Sequence, residues 1–192
     1  MPRNTTLSIA CLGWGSLIWD PRDLPIRVRW FEDGPLLPIE FARESGDGRI
    51  TLVICDIEYR VRTYWALLEA TDLETAKSDL AAREGIKDRN IEHSIGYWDK
   101  SSTNSYGSGA ADIGGWAQTM NLDIVVWTNL QVGFKTSRGT LPPPSEVLKY
   151  LRDLSHAKRR LAEEYVRKAP AQIDTEYRRR IENEFGWFPV ER

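Results

Sequence analysis

The chain has 192 residues, of which 41% are hydrophobic and 10% aromatic, and its 26 basic and 28 acidic residues leave a formal net charge of −2. This length suits one substantial core or at most two small ones, and the near balance of charge gives no electrostatic basis for binding nucleic acid or an anionic membrane. No apolar run approaches the roughly 20 residues that cross a bilayer, and the N-terminus lacks the apolar segment of a secretory signal. We therefore expect a cytoplasmic protein with small neutral or zwitterionic partners.

The cysteines and histidines predict neither a disulfide nor a metal site. Cys11 and Cys55 lie in apolar, strand-like runs, where reduced and buried thiols are more common than a bridge or a nucleophile. His93 and His156 are far apart and outside any motif with metal-ligand spacing. No metal or other cofactor is expected.

The first predicted element is a buried strand that ends at two closely spaced glycines. A mostly apolar run over residues 7–12 leads into a segment called the glycine loop below, which consists of Gly13, Trp14, Gly15, Ser16 and Leu17. Glycine can take positive φ and lets a ligand approach the main chain, so the N–H groups of this loop can form a cradle for a carboxylate. The alternative is a plain tight turn. A dinucleotide site is not expected, because Ile18 stands where the third glycine of that pattern would fall.

Alternating apolar residues and turn signals predict that strands dominate the first third of the chain. Strands are expected over residues 26–30, 36–43, 49–55 and 63–68, and a later one over 123–130. Gly46-Asp47-Gly48 between two of these strands is typical of a hairpin. The strand over 123–130 is expected to close the sheet or barrel.

A helix is predicted from about residue 72 to residue 84. Thr71 and Glu74 have capping-box spacing, and Gly85 follows the helix as a stop signal. The apolar residues of this segment recur at helical spacing, at positions 73, 76, 80 and 81. One face of the helix is therefore expected in the core.

Glu84 extends this apolar face, because it lies eleven residues after Leu73 and the helix has by then returned to within about 20° of the same direction. Partial desolvation and the negative end of the helix dipole both favour the neutral form of such a carboxyl group. It would then be suited to accept or donate a proton. The alternative is a structural role, in which Glu84 pairs with an arginine such as Arg43 or Arg62, or reaches solvent.

Residues 96–121 are rich in glycine, serine, asparagine and threonine, with scattered aromatic residues. This composition predicts a long loop, either a functional lid or a mobile segment.

Three helices are predicted at the C-terminal end. The first has Ser145 as its N-cap and runs to about 154, the second covers about 156–169, and the third is capped by Asp174 and ends before Gly186. Basic clusters at 158–160 and 178–180 alternate with glutamates. They are typical of solvated helix faces with i,i+4 ion pairs, in preference to a nucleic-acid patch.

Residues 12–19, with the sequence Leu-Gly-Trp-Gly-Ser-Leu-Ile-Trp, resemble the Gly-Tyr-Gly-Ser-Leu-(Ile/Met)-Trp signature of the γ-glutamylcyclotransferase-like family, particularly its ChaC-type members. Trp14 stands where that family usually has tyrosine, so any contact of the tyrosine hydroxyl must be replaced or lost. Arg83 and Glu84 resemble an Arg-Glu pair whose glutamate is catalytic in the family. The residues after this pair depart from the family's Lys-Gly-Gly-Tyr. The resemblance covers about residues 7–130 and leaves the C-terminal helices unexplained.

The resemblance implies an α+β fold, a small mixed β-barrel or sheet with one core helix that carries Glu84. It implies a γ-glutamylcyclotransferase-like domain over residues 1–140, to which we add a C-terminal helical extension over 141–192 that packs on the same domain and either covers the site or forms a homodimer interface. It also implies an enzyme that releases 5-oxoproline from a γ-glutamyl substrate, without a cofactor. Glu84 would be the catalytic acid and base, and the substrate would be bound by Gly13, Trp14, Gly15, Ser16 and Leu17. The alternative is a non-catalytic binding protein for an amino-acid-like or sugar-like ligand, held by the same pocket and the tryptophans at 14, 98 and 116.

Overall fold

The computed structural model describes residues 6–190 and shows a mixed α+β protein. The described chain forms two compact units built from alternating segments. The first unit consists of residues 6–13, 20–35 and 63–129, and the second of residues 14–19, 36–62 and 130–190. The expected boundary between residues 140 and 141 stays a prediction. No helix among residues 6–190 has the length and apolar character needed to cross a membrane.

The strands are β1 (Ile9–Gly13), β2 (Leu36–Leu37), β3 (Ile39–Glu44), β4 (Ile50–Ile54), β5 (Val61–Arg62), β6 (Tyr64–Leu67), β7 (Ile95–Asp99), β8 (Asn104–Tyr106) and β9 (Ile124–Thr128). The α-helices are α1 (Leu73–Glu84), α2 (Ile91–Ser94), α3 (Ala110–Thr119), α4 (Pro144–Asp153), α5 (His156–Lys168) and α6 (Glu176–Phe185), and a short 3-10 helix spans Asp88–Asn90. The strand predictions over 36–43, 49–55, 63–68 and 123–130 are confirmed by β3, β4, β6 and β9.

The first unit is built on an open five-stranded sheet in the order β6-β1-β9-β7-β8. β1 pairs in parallel with β9, so that Cys11 lies beside Val126, and antiparallel with β6 on its other side. All five residues of β1 are buried, as expected of a central strand with both faces covered. The described strands thus form an open sheet and not a barrel.

The predicted strand over residues 26–30 is wrong. Only two isolated bridges form along β6, at Ile26 with Leu68 and at Phe31 with Trp65. Ile26 and Phe31 are five positions apart, whereas their partners Leu68 and Trp65 are only three positions apart. The segment between Ile26 and Phe31 must therefore leave the ladder. Val28, within this segment, is 76% exposed.

Helix α1 begins and ends close to the predicted residues. The carboxylate of Asp72 accepts a hydrogen bond from the Thr75 amide at 2.8 Å and caps the first turn, so the N-cap is Asp72 and not Thr71. Gly85 ends the helix with φ 68°, a left-handed conformation that glycine takes without strain. Ala76, Leu80 and Ala81 are buried along its inner face.

The prediction of a long loop over residues 96–121 is wrong, because this segment forms β7, β8 and α3. Its glycines permit close packing. A Cβ atom on Gly96 would lie 2.3 Å from the ring of Trp127, and one on Gly114 would lie 2.7 Å from the indole nitrogen of Trp98. Two glycines of this segment are therefore explained by tryptophan rings that lie against the backbone.

The second unit contains two short antiparallel sheets, β2 with β5 and β3 with β4. The predicted hairpin between β3 and β4 is confirmed. The Ser45 amide donates to the Arg49 carbonyl at 2.8 Å, and Gly48 takes φ 85°.

The C-terminal helices belong to the second unit, and two of their predicted caps are wrong. Helix α4 starts at Pro144, with Pro143 as the cap residue, so Ser145 lies inside the first turn; proline fixes the φ that a first helical residue needs. Helix α6 is capped by Thr175, whose hydroxyl accepts from the Arg178 amide at 3.1 Å. Asp174 instead pairs with Arg179 at 2.6 Å.

The basic cluster at 178–180 is only partly solvated. Arg180 and Glu176 form the expected i,i+4 ion pair at 2.7 Å. Arg178, however, is 1% exposed. Its guanidinium donates to the carbonyls of Val166, Ala169, Pro170 and Ile173. These carbonyls lie at and just beyond the end of α5, where helix carbonyls lack partners within the helix, so Arg178 stabilises the turn between α5 and α6.

Candidate functional site

Strand β1 carries the chain to the glycine loop. Its last residue, Gly13, pairs with Tyr64 of β6. The positive φ that glycine permits is not used at this point, because neither Gly13 nor Gly15 is among the positive-φ glycines of the described chain. The loop therefore does not use the left-handed conformations that only glycine takes easily.

Within the second unit, the glycine loop is a tight turn anchored by Trp14. The Ile18 amide donates to the Gly15 carbonyl at 3.0 Å and closes the turn. Trp14 is 4% exposed, and its indole N–H donates to the Leu52 carbonyl on β4 at 3.2 Å. Leu17 is also buried, while Ser16 is half-buried. Trp14 is thus a core residue of this unit, and its ring does not offer an exposed face for a ligand.

Gly15 is required because of a tyrosine on α5. A Cβ atom at this position would lie 2.3 Å from the hydroxyl oxygen of Tyr165. The same oxygen accepts a hydrogen bond from the Leu52 amide at 3.3 Å, and the Tyr165 ring packs edge-on against Trp19 with centroids 5.4 Å apart. The main chain of the glycine loop is therefore in close contact with α5.

Within the first unit, Glu84 is the last residue of α1. Its side chain is 21% exposed, and Oε1 accepts a hydrogen bond from Nη1 of Arg83 at 2.6 Å. The structural role considered in the sequence analysis paired Glu84 with an arginine such as Arg43 or Arg62. The arginine that pairs with Glu84 is instead the preceding residue, Arg83. The second carboxylate oxygen, Oε2, accepts no hydrogen bond from the part of the chain that is described.

Arg83 also holds the residue at which the chain re-enters the first unit after the glycine loop. Its Nε and Nη2 atoms donate to the Asp20 carbonyl at 3.2 and 2.5 Å. The Arg83 carbonyl in turn accepts from Nη1 of Arg22 at 3.1 Å. Since only 4% of the Arg83 side chain is exposed, these contacts fix both the Asp20 main chain and the Glu84 carboxylate.

Cys11 places the Glu84 carboxylate near β1. Burial raises the pKa of the Cys11 thiol well above its usual range, the negative charge of Glu84 raises it further, and Arg83 opposes this. Cys11 lies two positions before Gly13 and so shares its side of the strand. A thiol with a raised pKa is a poor nucleophile, so Cys11 is not a candidate for that role.

The first unit therefore holds Glu84 together with Gly13 and Asp20, the residues on either side of segment 14–19. The arrangement offers an oriented carboxylate with one unpaired oxygen, which can accept and return a proton. Within residues 6–190, no group of three or more histidine, cysteine, aspartate or glutamate residues has the geometry of a metal site.

Tyr165 is the residue that sequence reasoning missed. The apolar pattern of the helix over 156–169 places it on the inner face, which is correct, but does not say what its hydroxyl contacts. A buried tyrosine usually finds a hydrogen-bond partner, and this general rule was the available signal.

Comparison with known proteins gives no match, since no protein-family model, curated protein or solved structure is significantly similar to this chain. The likeness to γ-glutamylcyclotransferases therefore depends on the residues of the glycine loop and on the pair Arg83 and Glu84.

Proposed function

We propose that the protein is a γ-glutamylcyclotransferase-like enzyme, which cleaves a γ-glutamyl amide or peptide by intramolecular aminolysis and releases 5-oxoproline. The observation that carries the proposal is how the two carboxylate oxygens of Glu84 are bonded. Arg83 binds one of its carboxylate oxygens and the carbonyl of Asp20, and the other carboxylate oxygen has no partner among the described residues. A partly exposed, oriented carboxylate is what a reaction with one general base requires.

In the proposed reaction, the carboxylate of Glu84 removes a proton from the α-ammonium group of the substrate. The freed nitrogen attacks the γ-carbonyl carbon, a C–N bond forms and the ring closes. As the bond from that carbon to the leaving nitrogen breaks, Glu84 returns the proton to this nitrogen, and the second proton that the ring nitrogen must lose passes to water and is taken up by the released amine. The products are 5-oxoproline and a free amine or amino acid, and Glu84 is again a carboxylate.

The glycine loop would supply orientation. Main-chain groups of Gly13, Gly15, Ser16 and Leu17 would hold the α-carboxylate and amine so that the nitrogen faces the γ-carbonyl. Fixing two reacting groups in this way lowers a barrier by up to about 7–11 kcal/mol in well-oriented systems, and a general base typically adds about 10²–10⁴-fold. Ser16 is assigned to binding, because no histidine in the sequence stands in a recognisable relation to it. The substrate brings its own nucleophile, so the reaction as written needs no cofactor.

The proposal is tested by incubating the pure protein with glutathione, γ-glutamyl amino acids and γ-glutamyl amines, and measuring 5-oxoproline. Turnover of at least one compound is expected, with a loss of at least about 100-fold in Glu84→Gln. Glu74→Gln is the matched control, since Glu74 lies on the same helix, is 76% exposed and pairs with Lys77; it should keep wild-type turnover. Undiminished turnover in Glu84→Gln would remove the proposed base.

A second candidate is a non-catalytic protein that binds an amino-acid-like small molecule at the glycine loop. The ion pair between Arg83 and Glu84 favours it, because a purely structural glutamate makes the same contact. Calorimetric binding of a γ-glutamyl compound that stays intact over many hours would support this candidate against the enzyme.

A further inference from the structure

The hydroxyl of Tyr165 lies against Gly15, in the space that a Cβ atom at this position would fill. A Cβ atom on Gly15 would lie 2.3 Å from the Tyr165 hydroxyl oxygen and 3.3 Å from Cζ, whereas separations under 3.0 Å are essentially never seen for real Cβ atoms. The phenol therefore lies directly against the main chain of the loop.

The position of this hydroxyl is fixed from β4. The amide of Leu52 donates to the Tyr165 oxygen at 3.3 Å, while the carbonyl of the same residue accepts from the indole of Trp14 at 3.2 Å. A single strand residue thus bonds both Trp14, in the loop, and Tyr165, on α5. Tyr165 is 5% exposed, and its ring also contacts Trp19 at the end of the turn, so loop, strand and helix form one packed group within the second unit.

We infer that Tyr165 is a positioning residue for the glycine loop, and that its hydroxyl sets the main-chain conformation with which the loop binds substrate. The inference rests on the proposed function, because it gives the contact a meaning in substrate binding. It also gives α5, which lies outside the part of the chain covered by the family resemblance, a role at the site. Trp14 has no hydroxyl and its N–H is bonded to Leu52, so the phenol hydroxyl that lies against Gly15 is supplied by α5.

The role predicts a specific kinetic signature. Tyr165→Phe removes the hydroxyl and the hydrogen bond from Leu52 but keeps the ring, so the loop loses its restraint while the core stays filled. The KM for the γ-glutamyl substrate should rise about 2- to 10-fold, the range that follows from losing one hydrogen bond, with a much smaller change in kcat. The matched control is Tyr150→Phe on α4, whose hydroxyl donates to the Gly48 carbonyl at 2.8 Å; it should lower the unfolding temperature without changing KM.

Gly15→Ala provides a rescue test. Since φ at Gly15 is not positive, alanine is compatible with the backbone, and the clash with the hydroxyl is the expected source of damage. Overpacking of this kind should lower kcat/KM about 10-fold or more. The double variant Gly15→Ala/Tyr165→Phe removes the clashing oxygen, leaves Cζ at 3.3 Å, and should recover most of the loss. Circular dichroism and thermal unfolding of all four proteins accompany the kinetics.

The outcomes separate the two proposals. If the wild type turns over a γ-glutamyl substrate but Tyr165→Phe and Tyr150→Phe have the same KM, the positioning role is overturned and the proposed function stands. A double variant no better than Gly15→Ala also overturns it. If the wild type turns over no γ-glutamyl compound, the proposed function fails and the positioning role fails with it.

Discussion

A buried glutamate in the second unit leads to a prediction about pH. Glu40 on β3 is fully buried, and its carboxyl group accepts hydrogen bonds from the Phe41 amide at 2.7 Å, the Thr175 hydroxyl at 2.5 Å and the Tyr177 amide at 3.1 Å. No basic side chain among residues 6–190 forms an ion pair with it. Burial raises the pKa of Glu40 to about 7; its three hydrogen bonds oppose this shift, and the nearby Glu176 adds to it.

The sign of the effect follows from comparing the folded and unfolded states. Below the ordinary glutamate pKa of 4.5, Glu40 is protonated in both states, and its contribution to stability is fully present. Between pH 4.5 and about 7, the unfolded state releases the proton that the folded state keeps, so the free energy of unfolding falls as the pH rises. At about 1.4 kcal/mol per pH unit, this loss amounts to about 3 kcal/mol and is complete above pH 7.

Besides Glu176, two further ionisable groups lie close to Glu40, the thiol of Cys55 and the phenol of Tyr177, and both have a raised pKa. Burial is the main cause of each shift, and the charge of Glu40 contributes to both; the pKa of Tyr177 is raised to about 12. Both groups are therefore neutral between pH 4.5 and 8. Within this window, the charge of Glu40 changes, whereas Cys55 and Tyr177 stay neutral.

The assay is urea unfolding followed by circular dichroism at several pH values from 4.5 to 8, for the wild type, Glu40→Gln and Glu58→Gln. Glu58 is an exposed glutamate of the same unit. The wild type and Glu58→Gln should lose about 3 kcal/mol over this range relative to Glu40→Gln, whatever the absolute stability of each protein. If all three proteins show the same dependence on pH, Glu40 does not keep its proton in the folded state, and the reasoning is refuted.

Two further substitutions test contacts of the first unit. Arg83→Lys keeps the positive charge but loses the planar guanidinium that reaches both Asp20 and Glu84. It should lower the free energy of unfolding by about 1–3 kcal/mol and reduce turnover. An unchanged free energy of unfolding in urea would show that the guanidinium contacts do not stabilise the protein. Gly96→Ala places a methyl group against Trp127, where a Cβ atom would lie 2.3 Å from the ring. It should lower stability by about 1–3 kcal/mol, with a shift in tryptophan fluorescence, and a wild-type melting temperature would contradict the packing argument.

Local patterns predicted most of the regular elements. The apolar run before Gly13, the Gly-Asp-Gly turn at residues 46–48 and the spacing of α1 each carry their signal within a few neighbouring residues. Residues 26–30 alternate like a strand, but the two bridges, at Ile26 and Phe31, differ in register, so the residues between them leave the ladder. Residues 96–121 have the composition of a loop, and the need for glycine at positions 96 and 114 becomes clear only from Trp127 and Trp98, which lie against them in the folded chain.

Apolar spacing and backbone preferences act over short distances, so they were enough to predict a buried strand that leads into a tight glycine turn and a helix α1 that ends at Glu84 with Gly85 as its stop. The contacts by which Arg83 joins Glu84 to the Asp20 carbonyl, and the space that Gly15 leaves for the hydroxyl of Tyr165, are visible only in the folded chain. Such contacts join residues up to 150 positions apart, and their energies depend on atomic separations and burial that arise when the chain packs.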